Sequence, residues 1–461
     1  MLKAMKQPKG FYKGVFALML PMILQNVITQ TVSFADTFMV GLLGEQNLAA
    51  VTTAVTPFFV IMLLMMGIQS GAGILISQYW GKGNLNAINR VLGVGFYFSS
   101  AFSFIGAMLM FFFPEFFLSI ITNDAEVVAL AVNYAKIAGF AHMCNSISGV
   151  YIAAHRSMEN ARLGVVVLTL SSLINVLGNW LLIFGKLGFP AMGITGAAVA
   201  TLISRIVELV IVLIYAAKNK RFKIIPKSLF KPGLVILKDF LKYSLPVILN
   251  EALWGFGAMI YPIILGHMEN SMVILAAYTI SGNIERLFGV AVFAGGGAAS
   301  VIIGREIGAG RKDTVYSAGK ALVMLSFFMG LASAALLFVA TLIIMEPYIF
   351  PLFKLSEAAA EACTIMLTIM SFVMIIRTVG FTMSIGVLRG GGDVRAVMYI
   401  DIGSLYLVAL PAAAISAFVF GAGIAVVYGC IALEDIIKTI LSLFRFRSKK
   451  WINDVTREAV A

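Results

Sequence analysis

An all-α polytopic membrane fold is predicted, with twelve transmembrane helices in two six-helix bundles related by a parallel pseudo-two-fold repeat. Three observations predict it. The 461-residue chain is 60% apolar with a mean hydropathy of +0.97, well above a soluble globular composition. Its apolar runs reach the ~20 residues needed to cross a ~30 Å hydrocarbon layer. Finally, 27 of its 34 Lys and Arg fall at the two ends of the chain and in alternate joints between those runs.

In chain order, the first series of runs falls at 14–38, 48–78, 91–113, 127–153, 163–184 and 196–217, cut by short polar or Gly/Pro-containing joints. A second series falls at 243–266, 272–303, 320–345, 359–387, 396–420 and 421–444. The basic joints are those after each even-numbered run, together with both ends of the chain, while the other joints hold little beyond Lys186 and Lys354. The positive-inside rule therefore puts both termini in the cytoplasm of a multi-pass cell-membrane protein. The N-terminal lysines and apolar run resemble a signal peptide, but the run is too long and lacks a small-residue cleavage site, so it is expected to stay as a span.

This gives an N-terminal bundle at 1–217, a basic cytoplasmic linker at 218–242, a C-terminal bundle at 243–444 and a basic tail at 445–461. The linker is expected to lie along the anionic inner leaflet. The bundles repeat each other: Leu20-Pro21-Met22-Ile23-Leu24-Gln25-Asn26 matches Leu245-Pro246-Val247-Ile248-Leu249-Asn250-Glu251 at a shift of 225, and Gly41 matches Gly266. After a two-residue slip, Leu48-Ala49-Ala50 matches Leu275-Ala276-Ala277, and Gly81-Lys82-Gly83 matches Gly308-Ala309-Gly310. Six spans per copy is an even number, so both copies enter from the same side, which is the architecture of an alternating-access transporter.

Several functions are excluded or disfavoured. The net charge of +12 sits between apolar runs rather than on a polar face, so nucleic acid is not the partner. Cys144, Cys363 and Cys430 are scattered through apolar segments and suggest neither a disulfide framework nor a metal site. No Gly-Lys-Ser/Thr follows the glycine-rich stretches, which are read as close helix packing at Gly295-Gly296-Gly297 and at the Gly67–Gly71 spacing. No nucleophile motif or paired metal-ligating His points to an enzyme.

The residues that carry chemistry are charges inside spans. Asp36 lies roughly 34 Å along its helix from Lys13; an acid there is costly and marks an ion or substrate path, unless it is solvated at the far interface. Asn175 and Asn179 share a face of the fifth span, at outer depth with Asp36 and Thr201, where their amide oxygens help ligate a hard cation, bond a protonated Asp36, or glue helices. In the second bundle, Glu251, Arg377 and Asp401 form one network facing the cleft, or Arg377 and Asp401 form a structural pair. Glu251 beside Trp254 suits an organic cation. Arg205 with Glu208, and Glu434 with Lys438, have the spacing of same-face pairs, whereas Glu285 and Arg286 need partners on other helices. The 24 Met and 35 Phe permit an adaptable cleft.

Together these marks resemble the multidrug and toxic compound extrusion (MATE) family, over essentially the whole chain. Leu20-Pro21, Asp36-Thr37 and Val40-Gly41 are similar to its first-helix pattern; Gln78-Tyr79-Trp80-Gly81-Lys82-Gly83-Asn84 and Gly304-Arg305-Glu306-Ile307-Gly308-Ala309-Gly310 to its paired loop signature; and Leu388-Arg389-Gly390-Gly391-Gly392-Asp393 to its loop after the tenth helix. The resemblance implies a secondary antiporter that exports organic, cationic or amphipathic compounds against inward protons or sodium, acts as a monomer and needs no cofactor. It implies Pro21 as the first-helix kink, Asp36 as the coupling acid with any Na+ bound there, and Asn175, Asn179 and Thr201 as its support. Many relatives carry a second acid where Asn179 stands, and place a seventh-helix acid where this chain has Trp254. The alternative is a flippase for lipid-linked precursors or polysaccharides.

Overall fold

The structure is a computed structural model that describes residues 7–8, 10–352 and 355–457; Lys354 and the last four residues of the basic tail lie outside the described residues. Among the described residues, eleven helices are long and apolar enough to cross a membrane. They are α1 (Phe11–Gly41), α2 (Glu45–Lys82), α3 (Leu85–Phe112), α4 (Ala125–Ser157), α5 (Arg162–Phe184), α6 (Gly193–Lys218), α7 (Leu234–Gly266), α8 (Ser271–Gly308), α9 (Lys312–Ile349), α10 (Glu357–Arg389) and α11 (Val394–Phe418). The twelfth, α12 (Ile424–Arg447), spans 24 residues and carries Glu434, Asp435 and Lys438 near its middle. Among the described residues there is no strand, as expected where every backbone group must be satisfied in lipid.

Helix ends follow local chemistry. The Asp124 carboxylate accepts from the N–H groups of Glu126 and Val127 to start α4, and Asn84 caps α3 through Ala87 N–H. Gly83, with φ of 74°, ends α2 in the left-handed conformation that glycine reaches without steric cost. Helix α7 begins at Leu234, nine residues ahead of the expected 243, because Ile236 and Phe240 form a buried apolar stripe on that turn. The preceding stretch docks onto α3. Asn89 accepts from Ile225 N–H at 2.9 Å and donates to Lys223 O at 3.2 Å, Tyr97 donates to Phe230 O at 2.9 Å, and the Leu229 carbonyl lies where a Cβ on Gly93 would stand.

The chain folds into two compact units, Met1–Ile23 with Leu249–Thr456, and Leu24–Ile248 with Arg457–Ala461. The breaks in α1 and α7 fall at positions related by the repeat shift of 225. In the second unit the opening half of α7 packs on α2 through glycines: a Cβ on Gly67 or Gly71 would lie 2.6 Å from the Cα of Ile248 or Ser244. In the first unit Gly296 faces Phe381 on α10, and Gly297 faces Met22 on α1. These are the close-packing roles expected of both glycine stretches. Each unit has its own core, around Tyr261, Cys363, Met366 and Leu405 in one and around Phe58, Tyr134 and Ile183 in the other.

Helices α9, α10 and α11 widen into π-type turns over Thr341–Ile349, Thr382–Arg389 and Ser404–Ala409. Two of the three adjoin prolines, Pro347 and Pro411, whose missing N–H groups an ordinary turn would leave as gaps.

Candidate functional site

The unit built on α2–α6 carries a line of polar side chains. Asp36, half-buried on α1, accepts a hydrogen bond of 2.5 Å from the Asn179 amide on α5. One turn away on the same face, Asn175 donates to the Thr201 hydroxyl on α6 at 3.2 Å. Both asparagines are at least 95% buried, and the side-chain carbonyl oxygen of each has no hydrogen-bond partner. Buried acceptors left open beside a carboxylate are a polar cradle whose chemistry suits a proton donor or a cation. The four residues Asp36, Asn175, Asn179 and Thr201 thus come together, and Asp36 has a polar neighbour in protein rather than facing only lipid or bulk water.

The line continues one turn along α6. There the guanidinium of Arg205 pairs with Glu208 at 2.5 Å, the same-face pair the spacing predicts. Glu208 is fully buried and also accepts from Ser148 at 2.5 Å, Asn145 at 3.2 Å and Ser171 at 3.4 Å. A carboxylate so completely satisfied is a fixed anchor, and the charge it holds in place is Arg205.

In the other unit the predicted network divides in two. Glu251 pairs with Arg389 at 2.7 Å; Asp401, 3% exposed, meets Lys438 at 2.9 Å and Arg389 at 4.0 Å, and accepts from Asn250 at 3.0 Å and Ser384 at 3.1 Å. Arg377 does not join it. It pairs with Glu285 on α8 and with Asp435 at 3.3 Å, so no Arg377–Asp401 pair forms. Glu285 has thereby found the partner on another helix that its position required.

Two further expectations are corrected. The Glu434–Lys438 pair is absent because Lys438 reaches across to α11, where Asp401 offers a deeper anionic partner. The acid that meets Trp254 is Glu434, not Glu251: the indole N–H of Trp254 donates to it at 3.0 Å and the Tyr261 hydroxyl at 2.8 Å. Arg389, Lys438, Glu285 and Glu434 are members the sequence did not place in a site. Their signal was available only as charge inside an apolar run, with Arg389 hidden in a glycine loop.

That loop has a structural explanation. A Cβ on Gly390 would lie 2.8 Å from the Cα of Ser300, one on Gly391 would enter the Trp451 ring and carbonyl, and Gly392 has φ of 87°. Asp393 then pairs with Arg445 at 2.6 Å. The glycines let α10 close against α8 and the tail while Arg389 points inward.

A parallel between the units emerges from these contacts. Gly193-Ile194 and Gly423-Ile424 open α6 and α12 at a shift of 230, and at that shift Arg205 and Glu208 meet Asp435 and Lys438. Equivalent positions carry opposite charges in the same three-residue spacing.

Known proteins share this fold. The family model described as MatE matches residues 21–181 and 246–415. The chain is 27% identical over 453 residues to a probable multidrug resistance protein NorM of Thermotoga maritima, covering 97% of this chain and 95% of that one. It is 23% identical to the multidrug resistance protein MdtK of Pectobacterium atrosepticum, covering 86% of this chain and 85% of the relative. Among solved structures, the eukaryotic MATE transporter AtDTX14 superposes with a TM-score of 0.84 at 19% identity, over 98% of this chain and 99% of that one. The Vibrio cholerae MATE transporter VcmN gives 0.85 at 18% identity, over 95% and 97%.

Proposed function

The chain belongs to the MatE family of transporters, and from that membership we propose that it is a secondary active antiporter exporting organic, cationic or amphipathic compounds in exchange for protons or sodium. It is a multi-pass membrane transporter and not an enzyme. The observation that carries the antiport reading is Asp36 with its open asparagine cradle. Ionised, the carboxylate takes the charge-assisted bond from Asn179. Neutralised by a proton or by Na+, it loses the reason for that bond, and the free carbonyl oxygens of Asn175 and Asn179 accept a protonated carboxyl or help ligate a hard cation. Filling and emptying of this site biases the two states of alternating access. Glu251, Trp254, Arg377 and Asp401 act in the second bundle, and Pro21 provides the bend in α1. Both termini face the cytoplasm, and the chain works as a monomer in the cell membrane.

The test is substrate uptake into everted vesicles under imposed proton or sodium gradients, with Asp36→Asn alongside. Transport should follow one gradient and stop in the variant. Unchanged gradient-driven transport in Asp36→Asn would remove Asp36 from the mechanism.

A further inference from the structure

Where α6 ends and the basic linker begins, the chain closes over a recess with about 10 Å³ of room, enough for one atom group the size of a water. The last turn of α2, the end of α4 and the first linker residues wall it, and its polar lining is His155, Asn160, Asn219 and Arg221 beside the Trp80 indole. His155 is only 2% exposed. Its Nδ1 accepts from the Asn160 amide at 3.3 Å, which places the proton of the neutral ring on Nε2, and this second nitrogen is buried with no partner. The Tyr151 ring lies 4.5 Å from the imidazole, and those of Tyr215 and Phe222 stand nearly perpendicular to it at 5.4 and 5.8 Å. Aromatic rings thus take the other directions, and the Nε2–H donor is left for the recess.

We propose that this recess holds a phosphate group, one of whose oxygens enters to accept from His155 Nε2–H while Arg221 at the rim meets its charge. The neighbouring polar groups are donors as well. Asn219 spends its carbonyl oxygen on the N–H groups of Arg221 and Phe222, at 2.9 and 3.4 Å, which leaves its amide hydrogens to give. The exposed Arg221 guanidinium lies 5.0 Å over the Trp80 ring and makes no ion pair among the described residues, and no carboxylate lines the recess. A cation would find nothing to accept it there. A water would satisfy His155 alone, whereas an oxyanion satisfies both the buried donor and the unmatched guanidinium. Two sources carry that chemistry, the headgroup of an anionic phospholipid beside the end of α6 and free phosphate. The site lies apart from the Asp36 cradle and does not depend on the transport reading.

The experiment titrates the purified full-length chain in detergent with phosphatidylglycerol, counted as bound lipid by native mass spectrometry, and separately with inorganic phosphate, read by calorimetry. Arg221→Gln should weaken binding about tenfold, the worth of a hydrogen bond to a charged group, and His155→Phe by a similar factor. Lys223→Gln removes the same charge two residues along the linker but outside the recess, and should stay within about twofold. Should His155→Phe fail to fold, the comparison of Arg221→Gln with Lys223→Gln decides alone, since both side chains are exposed. Retention of phosphatidylglycerol against excess inorganic phosphate upholds the site with a lipid headgroup as its source, and displacement upholds it with free phosphate. Equal losses in Arg221→Gln and Lys223→Gln would mean diffuse attraction to the basic linker, and overturn the site. Binding of neither probe would leave the recess to a water, and overturns it too.

Discussion

Asn179 donates its amide to Asp36 across 2.5 Å, yet its own carbonyl oxygen is buried without a partner. A side chain half used in this way holds one partner and offers an acceptor to another. Asn179→Ala should therefore lower the apparent affinity for the coupling ion about tenfold or more, the worth of a hydrogen bond to a charged group, with the maximal rate less affected. The measurement is transport rate against the concentration of the coupling ion; an unchanged half-saturation point would reduce Asn179 to helix glue.

Glu208 collects four donors from three helices, and Arg205 is one of them. Glu208→Ala leaves those donors buried and open, and should cost about 3 kcal/mol, the lower end for breaking a buried pair because the Arg205 side chain is 34% exposed. Arg205→Gln keeps the anchor satisfied by the remaining donors and should cost about 1 kcal/mol in stability while altering the ion dependence of transport. Thermal unfolding in detergent, compared with vesicle transport, separates the two effects.

The spans, the twofold repeat and the depth of Asp36 were legible in the sequence because they depend on length and period alone. Partner choice was not. Glu434 and Lys438 satisfy the four-residue spacing of a same-face pair, but the rotation of α12 turns Lys438 to Asp401 and Glu434 to α7. Counting at 3.6 residues per turn also fails across Thr382–Arg389, where the wider π turns re-aim Ser384 and Arg389 towards Asp401. The asparagine cradle could be placed by depth and by the family likeness, whereas the pairing of Arg377 with Glu285 required the packed helices.

Glu251 and Arg389 form a buried pair with side chains 14% and 3% exposed. Arg389→Gln should cost about 3 kcal/mol, because it strips Glu251 of its ion-pair partner, while Asp401 keeps Lys438. Adding Glu251→Gln should recover about 1 kcal/mol or more of it. A double-mutant cycle on thermal stability checks this; strictly additive losses would show that the pair is not coupled.

Gly390 admits the backbone of Ser300 to within 2.8 Å of where its Cβ would be. Backbone cannot yield as a flexible side chain does, so Gly390→Ala should destabilise the protein by about 1–3 kcal/mol. Gly10→Ala, where nothing lies within 4 Å but φ is 95°, tests strain alone and should cost about 1 kcal/mol.

Pro21 and Pro246 stand at the same point of the two repeats, two residues before the breaks at Ile23 and Ile248 where α1 and α7 each leave one compact unit for the other. Each proline deprives the carbonyl four residues back, on Ala17 or Lys242, of its helical donor, so each helix is softest where it changes unit. A proline placed there by chance would be expected in one repeat, not at equivalent positions in both. Restoring the donor with Pro21→Ala or Pro246→Ala should leave thermal stability equal or higher, since proline costs a helix interior about 3 kcal/mol. If the soft point is used in the transport cycle, efflux should slow about tenfold in each variant while substrate binding stays intact. Wild-type efflux rates in Pro246→Ala would show that the seventh helix needs no such bend, and that the likeness of the two sites is inherited rather than used.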